Sequence, residues 1–242
     1  MSATALSRSA RFWLLHLVLP VALLLALLVA LEASGLDRRI SDAFFDPVSR
    51  SFPLKDDFIL EKVLRRGVKY AVVASALVVF AAWALSCLIP RLAAHRRLLL
   101  FVWLAMAASS STISGLKALS PRHCPYDLQE YGGTVASTTL FQGLPPGAAP
   151  GHCFPGGHAS TGFSLFAGYF AALHLGRMRL AIGALIFAAS LGMGLGLGRV
   201  AQGAHFLSHN LWTALICWTV TVALYAALLR GRKPLNPHGA SV

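Results

Sequence analysis

Six apolar runs leave this chain little freedom, because each is long enough to cross a bilayer or to lie inside a bundle that does. They fall at 12–31, 70–89, 98–116, 159–175, 180–197 and 209–229. A membrane span takes about 20 apolar residues as a helix, and fewer where other helices surround it. Every backbone N–H and C=O in lipid must be satisfied within the protein, so such runs are read as helices. Hydrophobic residues make up 56% of the 242 and charged residues only 12%, about half the charged share of a soluble domain. The expected fold class is all-α, a polytopic membrane protein built as a six-transmembrane-helix bundle. It forms one membrane-embedded domain over 1–242, with outward loops at 32–69, 117–158 and 198–208. The first run resembles a secretory signal in its basic start, Arg8 and Arg11. Its apolar core is longer than such signals carry and no small-residue cleavage site follows, so an anchor is expected.

The loops set the orientation. Arg8, Arg11, Arg91, Arg96, Arg97, Arg177, Arg179, Arg230, Arg232 and Lys233 fall on one side of the six-span arrangement, and all nine acidic residues, Glu32 to Glu130, on the other. The positive-inside rule then puts both termini in the cytoplasm and the acidic loops outside, toward the periplasm in a Gram-negative cell. A formal net charge of +12 raises nucleic acid as a partner, but apolar runs split the basic residues into short clusters without a basic stripe or a binding motif. No nucleic-acid partner is expected, and no feature fixes an oligomeric state.

Between the first two runs, residues 37–69 mix both charges with Phe44, Phe45, Phe52 and Phe58. Ile40 with Phe44, and Leu60 with Leu64, stand four apart, so one or two amphipathic helices should lie on the membrane surface as a collar or lid, interrupted at Pro47 and Pro53. In the loop 117–158, Gly132, Gly133, Gly143, Pro145, Pro146, Gly147, Pro150 and Gly151 exclude one regular element. The fifth run carries Gly192, Gly194, Gly196 and Gly198, spaced to let another helix come close.

Cys87 and Cys217 lie inside runs and read as packing residues. Cys124 and Cys153 lie outside, where disulfides persist. A bridge between them would close the long loop and stabilise by about 3–4 kcal/mol. Each follows a histidine, His123 and His152, which raises a Cys2His2 zinc site as the alternative. Adjacent ligands are not the spacing of structural zinc. The disulfide is the expectation, free thiols or zinc the alternatives, and no metal and no cofactor is assigned. His123 and His152 are then loop residues near an anion site.

Three polar clusters share the outward side: Lys117 to Pro125 with Arg122 and His123; Pro155-Gly156-Gly157-His158; and Gly198 to Asn210, with Arg199, His205 and His209. Ionisable residues at the edges of membrane runs are costly to keep, and point to function over interfacial anchoring. The set suits phosphoryl transfer. Lys117, Arg122 and Arg199 offer cations for non-bridging oxygens, Gly156-Gly157 offers backbone N–H groups ahead of a helix, and histidines can serve as nucleophile and acid. No acidic cluster fit for magnesium stands beside them.

In order and on one face, these clusters resemble the signature of the type-2 phosphatidic acid phosphatase superfamily: Lys-x6-Arg-Pro, then Pro-Ser-Gly-His, then Ser-Arg-x5-His-x3-Asp. The resemblance implies a bacterial integral-membrane lipid phosphatase of the inner membrane, free of metal, acting on a polyprenyl diphosphate, a lipid A phosphate or a glycerophospholipid phosphate. It implies that His205 is the nucleophile, forming a phosphohistidine, and that His158 protonates the leaving oxygen and later activates water. Lys117, Arg122, Arg199 and the Gly157 backbone would cradle the phosphate. Departures are clear. Cys124 stands where the motif has arginine, so Arg122 is the available cation. Gly156 and Gly198 replace serines, and His209 replaces the aspartate that orients the nucleophile. His205 and His209 are four apart, so a helix begun near Ala204 would put both on one face. A neutral His209 could fix the tautomer of His205 without raising its basicity; either a backbone carbonyl or a loop acid, Asp127 or Glu130, takes over that role, or the nucleophile is a less basic one. A phosphotransferase using the same site, a degenerate lipid-binding protein and a transporter are the competing functions. Clusters at one membrane edge, without internal repeats, count against a transporter.

Overall fold

A computed structural model describes residues 7–137, 147 and 149–232; Lys233 and the loop positions Gly143, Pro145 and Pro146 lie outside the described residues. Regular structure among the described residues is helical, apart from two isolated β-bridges, Asp46 with Ser51 and Leu128 with Val135. α1 (Arg8–Trp13) starts on Ser7, whose hydroxyl accepts the Ala10 N–H. It widens into a π-type turn at Leu14–Val18 and continues as α2 (Leu19–Ser34). Pro20 explains the widening: it has no N–H for the His16 carbonyl one turn back, and that oxygen instead accepts the Trp218 indole N–H at 2.6 Å. α2 stops at Gly35, whose φ of 65° suits glycine at a helix end.

α3 (Leu36–Asp42) follows directly, and a wide helical stretch at Ile59–Gly67 runs into α4 (Val68–Leu88). A tight turn at Pro90–His95 leads into α5 (Arg96–Leu119). After the long loop come α6 (Ala159–Phe163), α7 (Phe166–His174), α8 (Met178–Ala201) and α9 (Leu207–Leu228). Five stretches are long and apolar enough to cross a membrane: Arg8–Ser34, Ile59–Leu88, Pro90–Leu119, Met178–Ala201 and Leu207–Leu228. They match five of the six apolar runs, and the chain is an all-α polytopic membrane protein. The run at 159–175 differs, being two short helices. The break falls at Ser164, whose hydroxyl bonds back to the Thr161 carbonyl at 2.9 Å, and the next turn tightens, with Ala167 N–H to Ser164 O and Gly168 N–H to Leu165 O.

Helices in lipid are held by close packing more than by hydrophobic burial, so small residues decide where they meet. A Cβ on Gly162 would lie 2.2 Å from the Gly192 nitrogen, and one on Gly192 2.4 Å from the Phe163 ring. α6 can therefore rest directly on α8. Around this contact Phe101, Phe163, Phe166, Phe170, Trp218 and Tyr225 form the core of the bundle. Leu23, Val29, Leu77, Val78, Ile186 and Phe187 stay exposed along α2, α4 and α8, as side chains facing lipid do.

A second, smaller core builds the collar. Phe52, Leu128 and Tyr131 are buried against Phe45, Tyr126 and Phe206. The Tyr131 hydroxyl donates to Asp42 Oδ1 at 2.8 Å, which ties α3 to the long loop. Burial, with that bond to Asp42, raises the Tyr131 pKa and keeps the phenol protonated.

Candidate active site

The short segment between α8 and α9 is shaped at both ends by identifiable bonds. α8 closes in a Schellman turn: Ala204 N–H bonds to Arg199 O and Gly203 N–H to Val200 O, both at 2.9 Å, with Gly203 at φ 67°. Glycine is required there twice over, since a Cβ would also lie 2.2 Å from the Phe52 ring. This turn puts Arg199 in the last turn of α8 and sends the chain out through His205. α9 then begins at Leu207 with no capping side chain of its own. Asp37 supplies the cap from α3: its Oδ1 accepts the Ser208 N–H at 3.0 Å and its Oδ2 accepts the Ser208 hydroxyl. A carboxylate here meets unpaired N–H groups and the positive end of the helix dipole. Burial pushes the Asp37 pKa up, and the bonds from Ser208 work against it.

The two ends of the long loop are joined to each other. Gly151 N–H bonds to Pro121 O, His152 N–H to Ser120 O and Cys153 N–H to Arg122 O. A disulfide links Cys124 to Cys153 across 29 residues. Lys117, in the last turn of α5, and the turn Gly156-Gly157-His158 are thereby drawn to one place. The site of a Cβ on Gly157 would be 3.9 Å from Lys117 Nζ. Gly156 N–H donates to the His209 carbonyl at 3.2 Å, which anchors the same turn to α9. The helix after the turn, α6, has only five residues, so the dipole expected behind Gly156-Gly157 is small.

His205 is the centre of this assembly and is 1% exposed. Its ring centroid lies 6.4 Å from that of His158 and 5.7 Å from that of His209. Burial drives the His205 pKa well below the usual imidazole range. The fields of His209, Lys117, Arg199 and His158 push the same way. The imidazole is thus neutral, as a nitrogen nucleophile must be. Arg199 Nη1 donates to Gln202 Oε1 at 2.7 Å and meets Glu61 Oε2 at 3.4 Å, while Gln202 Nε2 donates to the Lys55 carbonyl at 3.1 Å. The collar stretch Ile59–Gly67 therefore lies against the site. Leu60, Leu64, His158, Gly194, Leu195, Gly198, Arg199 and Gln202 line a narrow cleft between it and α8.

Lys117, His158, Arg199, His205, His209 and Gly157 come together. Arg122 lies between the end of α2 and the site: burial lowers its pKa and the field of Glu32 raises it, while its own charge is felt at His209. His123 lies to one side, with Nδ1 4.0 Å from Asp127 Oδ2. The two acids expected as holders of His205 are engaged elsewhere: Asp127 Oδ2 accepts the Cys124 N–H and Glu130 pairs with Arg38 at 3.7 Å. His205 Nδ1 instead faces Cys153 Sγ at 3.5 Å. Ligand atoms of Cys153, His205 and His209 lie within 4.8 Å of one another. The sulfur belongs to the disulfide, however, so it offers no thiolate, and two imidazoles alone are a poor fit for a structural metal.

Sequence reasoning passed over Asp37, Glu61, Gln202 and Asn210. Asp37 carried one available signal, an acid two residues after the glycine that closes a membrane run. The others are long-range partners with no local pattern.

A family model described as PAP2 superfamily matches residues 98–233, more than half of the chain. No curated protein and no solved structure matches it.

Proposed function

The chain belongs to the PAP2 superfamily, phosphatases of phosphorylated and often lipid substrates, and from that premise we propose that it hydrolyses a phosphomonoester or diphosphate on a membrane lipid. The reaction runs at the outward, periplasmic face of a bacterial inner membrane, in a single six-span domain with both termini in the cytoplasm. Polyprenyl diphosphate, lipid A and glycerophospholipid phosphates are the substrate candidates. The observation that carries this reading is the gathering of Lys117, His158 and Arg199 around a buried, neutral His205.

The chemistry needs no further group. With Nδ1 turned to Cys153 Sγ, Nε2 of His205 attacks phosphorus. The P–O bond to the lipid breaks and His158 gives its proton to the leaving oxygen. Water then attacks the phosphohistidine, His158 takes its proton, the N–P bond breaks and phosphate leaves. Lys117, Arg199 and the Gly157 backbone hold the non-bridging oxygens, where charge develops. Among the described residues no carboxylate backs His205, so the phosphoimidazolium rests on the phosphoryl charge for compensation and is short-lived. His209 stands edge-on to His205 and packs it into place.

Purified protein assayed for free phosphate against a panel of lipid phosphates tests the reading. Release from at least one lipid, absent in His205→Ala, is expected. A wild type that releases none would favour a lipid-binding protein, and label transferred to an acceptor lipid would identify a phosphotransferase.

A further inference from the structure

Asn210 follows His209 on α9 and is 0% exposed, yet neither its Oδ1 nor its Nδ2 has a hydrogen-bond partner among the described residues. A buried carboxamide left in this state is destabilising unless something arrives to satisfy it. Its surroundings are specific. A Cβ on Gly156 would lie 2.4 Å from Asn210 Oδ1, and one on Gly196 would lie 2.8 Å from Nδ2. The carboxamide thus fills the room that side chains at 156 and 196 would need. A serine at 156, as in the superfamily motif, and the Asn210 carboxamide cannot both keep these places: one of them has to shift.

The neighbouring bonds tie this amide to the candidate site. Gly156 N–H donates to His209 O, and the Thr213 hydroxyl lies 3.2 Å from Gly156 O and 2.8 Å from His209 O. Gly157, next along, faces Lys117, and His158 comes after it. An amide also suits an anion site that Lys117 and Arg199 already serve, because it donates without adding charge.

We propose that Asn210 is a further phosphate-binding residue that stands in for the hydroxyl Gly156 lacks: its carboxamide turns over when substrate binds, so that the N–H now against Gly196, in place of the Oδ1 that now faces Gly156, donates to a phosphoryl oxygen. The ligand named here rests on the phosphatase reading; the exclusion between positions 156 and 210 rests on geometry alone. A hydrogen bond to a charged group is worth about 10–100-fold in binding or rate. Asn210→Leu, which fills the slot without a donor, should lower kcat/KM and the affinity for orthovanadate by that factor. Gly156→Ser should lower the melting temperature and abolish phosphate release. Gly156→Ser/Asn210→Ala should regain the melting temperature and part of the orthovanadate affinity, because the serine hydroxyl then has both room and purpose. The proposal is overturned if Asn210→Leu keeps wild-type orthovanadate affinity, or if the double variant is no better than Gly156→Ser. Should Asn210→Leu fail to fold, the double variant decides. Melting and orthovanadate binding are read without turnover, so a wild type that hydrolyses nothing would count against the phosphatase reading and leave this comparison intact.

Discussion

His16 and His209 sit on helices of the same bundle and are treated very differently. Half-buried His16 spends both nitrogens: Nδ1 bonds to Phe12 O at 3.0 Å and Nε2 to the Tyr169 hydroxyl at 2.9 Å, while its ring stacks on Phe12 at 4.5 Å. Buried His209 has no partner for Nδ1 among the described residues and meets His205, Phe154 and Phe206 edge-on. A histidine whose bonds are all made fastens helices together. His209 also meets the Cys153 backbone, so it leaves one nitrogen unpaired, and Asn210 beside it leaves both polar atoms so; such groups cost stability until something satisfies them. The difference separates a histidine that builds the bundle from one that leaves a nitrogen unpaired beside the candidate site.

Substitution should separate the two regions most sharply. His205→Ala is expected to cut phosphate release at least about a thousandfold, whereas His16→Phe should keep turnover within about twofold and lose about 1 kcal/mol of stability with its two bonds. Steady-state assays with melting curves in detergent check both. A His16→Phe protein that melts normally but has no activity would break the comparison.

The disulfide gives the next largest effect. Cys124→Ser or a thiol reductant should destabilise the fold by about 3–4 kcal/mol. Activity should fall as well, because the Cys153 sulfur abuts His205. Parallel melting and activity series with and without reductant would show whether the two losses travel together.

Acidity has a smaller, signed effect. His205 is held below the imidazole range, so the acid limb of kcat/KM assigned to it should lie below about pH 6.5. Between that depressed value and the unfolded one, the folded state binds fewer protons, so stability is lost as pH falls through the window. Asp37 runs the other way. Its pKa is raised, so the folded state holds the proton longer and its contribution falls as pH rises through the raised value. Asp37→Ala should cost about 1 kcal/mol through the lost cap of α9 and remove that part of the pH dependence, which urea titrations across pH would detect.

Much of this was legible in one dimension. Membrane runs announce themselves by length, and the Lys117, His158 and Arg199–His205 clusters by charge where charge is expensive. What could not be read was contact at a distance. The bond of Asp37 to Ser208 spans 171 positions and that of Glu61 to Arg199 spans 138, with no periodicity to betray either. The break at Ser164 is a tightening of the backbone by one turn, from four-residue to three-residue bonds, which hydropathy ignores. Gly156 looked like a lost hydroxyl in the sequence; beside Asn210 it is space that another side chain uses.

The central claim is that His205 carries the phosphoryl group. Acid- and alkali-quenched reactions with a lipid labelled in the transferred phosphate test it most directly. The account predicts a small, rapidly turning-over label on the protein, stable to alkali, lost in acid and absent from His205→Ala. Undiminished phosphate release by His205→Ala would contradict it.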